Sequence, residues 1–159
     1  SPVLLIDWGA SFAGYFSDIT RTFFCGEPND EMKQIADLVE KANAAARLRG
    51  RRGMPAGEVD QLARGVIAEG GYGETFTHRT GHGLGMEAHE PPYIYPGNPL
   101  ILKPGMVFTI EPGIYLPGKA GVRIEDDVVV EDEGLRSLTD LPREVMRLED
   151  FLSRARKGS

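Results

Sequence analysis

Two segments of high strand propensity, LKPGMVFTIEPGIYL (102–116) and AGVRIEDDVVVEDEGLRSL (120–138), each place a glutamate directly after an isoleucine, among residues that call for burial. Glu111 and Glu125 are equidistant from a Pro-Gly turn centred on Gly118, so a hairpin there makes them cross-strand neighbours. Lone buried glutamates are rare unless paired or bound to a metal, and this restricts the fold to one that supplies a partner. The opening segment VLLIDWGASFAGYFSDITRTFF (3–24) repeats the device. It reads as a β-hairpin, and a turn centred between Phe12 and Ala13 sets Asp7 directly opposite Asp18, with Cβ atoms about 4.5–5.5 Å apart. Two carboxylates that close repel, and one keeps its proton unless a cation lies between them. The alternative is a different register, with Asp7 ending a strand and Asp18 capping a turn; that pair taken alone favours the alternative. Two such hairpins together favour a metal.

The rest of the chain is organised around these hairpins. Asn29 or Asp30 caps a predicted helix over 30–49 with Ile35, Leu38, Val39 and Ala42 at helical spacing. A second helix, 55–70, begins near Pro55, carries Val59, Leu62, Ala63, Val66 and Ile67 on one stripe, and stops at Gly70 and Gly71. The tail LEDFLSRARKG suggests a last short helix. Hairpin, helices, then strands define an α+β domain. The 159 residues fit one domain, and no repeat or linker divides them. A net charge of −6 argues against a nucleic-acid surface, and RLRGRR and RARKGS are read as solvated faces or tails. No apolar run reaches bilayer length, so no membrane partner is expected. The single Cys25 excludes an internal disulfide, suits a reducing, cytoplasmic setting, and is read as a small apolar residue at a strand end.

All of the histidines fall in one stretch, THRTGHGLGMEAHEPP (77–92), as His78, His82 and His89. Imidazole is the commonest metal ligand and titrates near neutrality. Four carboxylates with an imidazole are too many for one structural zinc and contain nitrogen that calcium or magnesium would not select. They suit two adjacent first-row divalent ions, Mn²⁺ first, with Co²⁺ or Zn²⁺ also admissible. Such a pair performs hydrolytic chemistry. Gly81, Gly83 and Gly85 lack the strand-turn-helix order of a nucleotide loop and are read as letting backbone approach metals and substrate. Arg123 and Glu125 are two apart on a strand, so Arg123 should face the same site. Tyr93 and Tyr115 either line an apolar pocket or pack in the core.

LIDWGASFAGYFSDITRTF, GHGLGMEAHEPP, FTIEPGIYL and GVRIEDDVVV, in that order, resemble the dinuclear metallopeptidases of the pita-bread fold, which include methionine aminopeptidases, Xaa-Pro aminopeptidases and prolidases. The similarity runs from about Val3 to Leu141. It implies that Asp7 holds one metal, His82 and Glu111 the other, and that Asp18 and Glu125 bridge them. It implies further that His89 contacts substrate and stabilises the tetrahedral intermediate, that Glu111 shuttles the proton, and that a hydroxide bridging the metals attacks the carbonyl before a proline. His78 either contacts substrate or supports the site as a hydrogen-bonded structural residue. The RIED motif with Arg123 favours the proline-specific branch, whose substrates are Xaa-Pro dipeptides or peptides. Family members carry an upstream half with helices that cover the first hairpin. The chain is therefore expected to be the C-terminal portion, 1–159, of one catalytic domain, with the N-terminal part of the same protein as a partner, an apolar face open without it, and homo-oligomeric assembly. The competing readings are a peptide-binding module without catalysis, a creatinase-like metal-independent hydrolase, and a different aminopeptidase of the same fold.

Overall fold

The computed structural model describes residues 2–157. Strands β1 (Val3–Phe12) and β2 (Tyr15–Phe24) form the expected antiparallel hairpin. Its register differs from the sequence expectation: Asp7 lies opposite Thr20, and Asp18 opposite Gly9. The reason is the turn, which is Ala13-Gly14 with both residues at positive φ (50° and 85°), the geometry of a two-residue hairpin turn that follows the strand twist. Moving the turn centre by one residue moves the pairing by two, and a shift of two keeps every side chain on its face. Asp7 and Asp18 are thus diagonal neighbours on one face.

Helix α1 (Asp30–Arg49) is capped by Asn29, whose side chain accepts the Met32 N–H at 2.9 Å. Helix α2 (Ala56–Glu69) starts after Pro55 and ends at Gly70, followed by Gly71 at φ 87°. Both bury their apolar stripes: Ile35, Val39, Val59, Ala63 and Ile67 join Phe108, Ile110 and Val128 in one core. That sheet has five strands in the order β4-β3-β5-β8-β9, with β3 Gly81–Gly83, β4 Glu90–Ile94, β5 Val107–Ile110, β8 Asp126–Val130 and β9 Leu135–Ser137. Between β5 and β8 in the chain, β6 (Gly113–Leu116) and β7 (Ala120–Arg123) form a separate hairpin. The segment read as one strand therefore breaks at Glu111-Pro112, because proline cannot continue the ladder. Register nonetheless runs through the break: Ile110 opposes Asp126 and Gly113 opposes Arg123, so Glu111 and Glu125 face each other as expected. Helix α3 (Leu148–Lys157) closes the chain. Among the described residues no helix is long and apolar enough to cross a membrane.

Three sequence readings change. Cys25 sits just past β2 but is exposed, so it does not act as an apolar strand end. Arg47 of the RLRGRR run is half-buried beside Asp126 rather than solvated. A Cβ on Gly81 would lie 1.8 Å from the Thr109 carbonyl oxygen, and one on Gly83 would lie 2.4 Å from the Glu90 carbonyl oxygen. These glycines let neighbouring strands approach each other. On the outer face of β1, Leu4, Ile6 and Trp8 remain partly exposed. Ile6 and Trp8 line a largely apolar cleft of about 520 Å³ with Phe23, Leu148 and Phe151.

Asp126, with no exposed surface, ties the layers together. It accepts from Arg21 of β2 (2.7 Å), Asn43 of α1 (3.0 Å) and Arg143 of the C-terminal segment (2.8 Å). Removing one member of a buried ion pair strands the other charge, so Asp126→Ala should lower the unfolding free energy in urea by about 3–5 kcal/mol. A loss within the range of surface substitutions would show that the hub is dispensable.

Candidate metal centre

Every site residue named from the sequence lines one polar cavity of about 470 Å³, joined by Arg79. The diagonal pair Asp7 and Asp18 comes from the first hairpin, His82 from β3, Glu111 from the end of β5, and Glu125 from the β7–β8 junction. Their donor atoms fall into three overlapping groups, each within 4.8 Å: Asp7, Asp18 and Glu125; His82, Glu111 and Glu125; Asp18, His82 and His89. Glu125, 2% exposed, belongs to two of these groups.

The hydrogen-bond partners fix the chemical state of the donors. The Nδ1 of His82 lies 3.0 Å from the Gly83 carbonyl, which can only accept, so Nδ1 carries the proton. The Nε2 points at Asp18 Oδ2 (3.5 Å) and Glu111 Oε1 (3.4 Å), acceptors that draw a second proton onto it in the metal-free protein. With Nδ1–H held by the Gly83 carbonyl, Nε2 is the nitrogen that would ligate a cation in place of that proton. Burial alone would lower the His82 imidazole, but Asp18, the Gly83 carbonyl and Glu111 outweigh it and raise it. Burial raises the Glu111 carboxyl. Burial, then the facing Glu111 charge, pushes Glu125 up to about 9. Four converging carboxylates, with Glu125 buried, Asp18 and Glu111 half-buried and Asp7 exposed, repel one another as anions, and together with the buried His82 imidazole they fit a divalent cation pair.

Arg123 faces the cavity, as expected from its parity with Glu125. Its Nη2 donates to Asp7 Oδ2 at 2.5 Å, Nη1 to the Tyr115 hydroxyl at 3.1 Å, and Nε to Thr20 Oγ1 at 3.3 Å. His78 lies outside β3, so it does not share a strand face with His82; it reaches the cavity from the preceding loop. Its Nδ1 lies 2.7 Å from the Arg79 carbonyl and must donate, so Nε2 accepts the Tyr115 hydroxyl at 2.6 Å. Burial, with the charges of Arg123, Arg64 and Arg79, lowers the His78 imidazole and keeps it neutral for that role. Tyr115 is thus a hydrogen-bonded link rather than the wall of an apolar pocket. Tyr93 lies beneath the Arg79 guanidinium, 4.7 Å from its ring centre. His89 is exposed at the rim, its ring edge-on to His82 at 4.1 Å. Burial and the charges of His82 and Arg79 lower it.

Three supporting residues escaped the sequence reading. Arg79 lines the cavity. Thr20 donates to Glu125 Oε2 at 2.5 Å, and Thr109 donates to Glu111 Oε1 at 3.1 Å while accepting the His82 N–H. Strand parity was the available signal for the threonines, since Thr20 shares the Asp18 face and Thr109 the Glu111 face.

The donor set is that of a candidate metal centre, and comparison with known proteins identifies the family. Residues 1–132 match the model of metallopeptidase family M24, to which this chain belongs. It is 48% identical over 143 residues to an Xaa-Pro dipeptidase of Lactobacillus delbrueckii subsp. lactis, a match covering 90% of this chain and 39% of that protein. A prolidase structure from Thermococcus sibiricus superposes with a TM-score of 0.90 at 54% identity, covering 92% of this chain and 40% of that one. An X-Pro aminopeptidase structure from Thermotoga maritima gives 0.88 at 45%, covering 92% and 42%. The chain therefore spans about two fifths of the length of these relatives, and over that span it takes the pita-bread fold.

The carboxyl shifts generate a pH prediction. In metal-free protein Glu125 holds its proton up to about 9, whereas unfolded it ionises in the ordinary carboxylate range. The folded state binds more protons between those limits, so metal-free stability is greatest at the acid end and falls as pH rises through the window. Urea unfolding of metal-free protein from about pH 5 to about pH 9 should show this decline, and Glu125→Gln should flatten it. A wild-type profile that rises with pH would contradict the assignment.

Proposed function

We propose that this chain supplies the metal centre of a peptidase that hydrolyses the bond between an N-terminal residue and a following proline. The observation that carries the reading is the convergence of Asp7, Asp18, His82, Glu111 and Glu125 on one cavity with the Arg123 guanidinium beside them. In the reading, Asp7, Asp18 and Glu125 hold one divalent ion and His82, Glu111, Asp18 and Glu125 the other, with Asp18 and Glu125 shared. Bound there, the ions supply Lewis acidity and an activated water. Mn²⁺ is the proposed metal, since the donor set is rich in carboxylates and lacks thiolate.

The chain's own residues do the rest. Glu111 takes the proton of the attacking water and delivers it to the departing proline nitrogen. His89, at the rim beside His82, donates to the carbonyl oxygen as it gains negative charge. Arg123 holds Asp7 in place through a charge-assisted bond, and His78 holds Arg123 through Tyr115. Support for proline specificity comes from relatives named Xaa-Pro dipeptidase, prolidase and X-Pro aminopeptidase. The reading includes the remainder of the protein as the covering for the outer face of β1, and a homo-oligomeric, cytoplasmic enzyme.

The test is metal analysis of the complete protein joined to hydrolysis of Xaa-Pro dipeptides and longer Xaa-Pro peptides with added Mn²⁺. His82→Ala should lose metal. His89→Ala should keep it while kcat falls by about 10²–10³-fold, the cost of one lost donor to a developing oxyanion. Loss of metal from His89→Ala with a full site in His82→Ala would reverse the two roles. Peptide binding without metal or turnover would instead establish the binding-module reading.

A further inference from the structure

The first hairpin and the main sheet meet along a seam held mostly by side chains. One antiparallel register runs through it. Thr22 stands across from Arg123, and its Oγ1 replaces a backbone partner by donating to the Arg123 carbonyl (2.8 Å) and accepting the Arg123 N–H (3.1 Å). Thr20 pairs with Glu125 in an isolated bridge, where the Glu125 N–H reaches the Thr20 carbonyl at 3.1 Å. The next rung in that register is Asp18 with Asp127. There the Asp18 N–H goes not to the Asp127 backbone but to its Oδ2, at 3.0 Å.

The backbone of Asp127 is already engaged elsewhere. Its carbonyl accepts the Leu138 N–H at 2.8 Å, and its own N–H donates to Thr139 Oγ1 at 3.0 Å. At this residue β8 exchanges β2 for β9 and the segment after it as its neighbour, and only a side chain of suitable length can still reach Asp18. The Asp127 carboxylate is buried, 5% exposed, and its second oxygen has no hydrogen-bond partner among the described residues. Burying a carboxylate with one unmatched oxygen is costly, so packing alone does not explain it. Its Oδ2 holds the N–H of a candidate metal ligand.

We infer that Asp127 is a positioning residue for Asp18: it completes the seam where the backbone ladder ends and thereby sets the carboxylate shared by the two proposed metal positions. This rests on the proposed function above. The acceptor, not the charge, is what the geometry uses, and this separates the variants. Asparagine retains an oxygen for the Asp18 N–H; alanine and the nearly isosteric leucine do not.

The experiment compares wild type, Asp127→Asn, Asp127→Ala and Asp127→Leu in the complete protein. Mn²⁺ affinity would be read by calorimetric titration, site geometry by the visible spectrum of the Co²⁺ form, and the structural cost by thermal unfolding of metal-free protein. Alanine and leucine should weaken metal binding by about 10- to 100-fold, the usual cost of losing a partner of a ligand, and alter the Co²⁺ spectrum. Asparagine should bind and absorb like wild type. Should alanine fail to fold, the leucine and asparagine proteins carry the comparison. Wild-type affinity and spectrum in alanine or leucine, or an asparagine protein as impaired as either, would overturn the inference. A wild-type protein that takes up no metal would instead overturn the functional reading beneath it.

Discussion

The repulsion between Glu111 and Glu125 is the constraint on which the site is built. They face each other at a break in the sheet, and burial, then the facing Glu111 charge, makes Glu125 hold its proton far above the ordinary range. Without a cation the arrangement opposes folding near neutrality. A divalent cation bound between them would offset that repulsion, and the Nε2 of His82 would complete the donor set. Stability has been traded locally for a preorganised site, and Asp126, directly after Glu125 in sequence, anchors this stretch of β8 through Arg21, Asn43 and Arg143. A buried, multiply bonded structural tie thus lies directly beside an electrostatically unfavourable residue.

How much of this was legible depends on whether the determining contact is local in sequence. The Glu111–Glu125 pairing was readable because a single Pro-Gly turn sets it and the Pro112 break does not disturb the register. The Asp7–Asp18 register was misjudged because the turn uses Ala13 at positive φ, a conformation that alanine does not advertise. The error spared the functional reading, since a shift of two preserves the face. The helices and their stripes followed from periodicity and caps. What sequence missed were contacts between strands distant in the chain: Thr20 on Glu125, Asp127 on Asp18, and the glycines of β3 against Thr109 and Glu90. Strand parity could have put Thr20 on the ligand face, but the partners of these residues are not readable until the sheet order is known.

The donors arrive from two structural units, and this is where Arg123 acquires its significance. Asp7 and Asp18 belong to the first hairpin, whereas His82, Glu111 and Glu125 belong to the strands beyond the seam. Arg123 stands on the far side and reaches back to Asp7, while its remaining donors hold Tyr115 and Thr20. One planar cation thus satisfies three acceptors in different directions, which a lysine ammonium on a flexible stem would not do with comparable geometric control. The Thr20 hydroxyl it touches is the same one that donates to Glu125. Asp7 and Glu125 are therefore linked through two residues, and a displacement of the hairpin would be felt at both. In such an arrangement the alignment of the hairpin against the sheet and the spacing of the ligands are one variable, because the side chains that stitch the seam are the ones that orient the carboxylates.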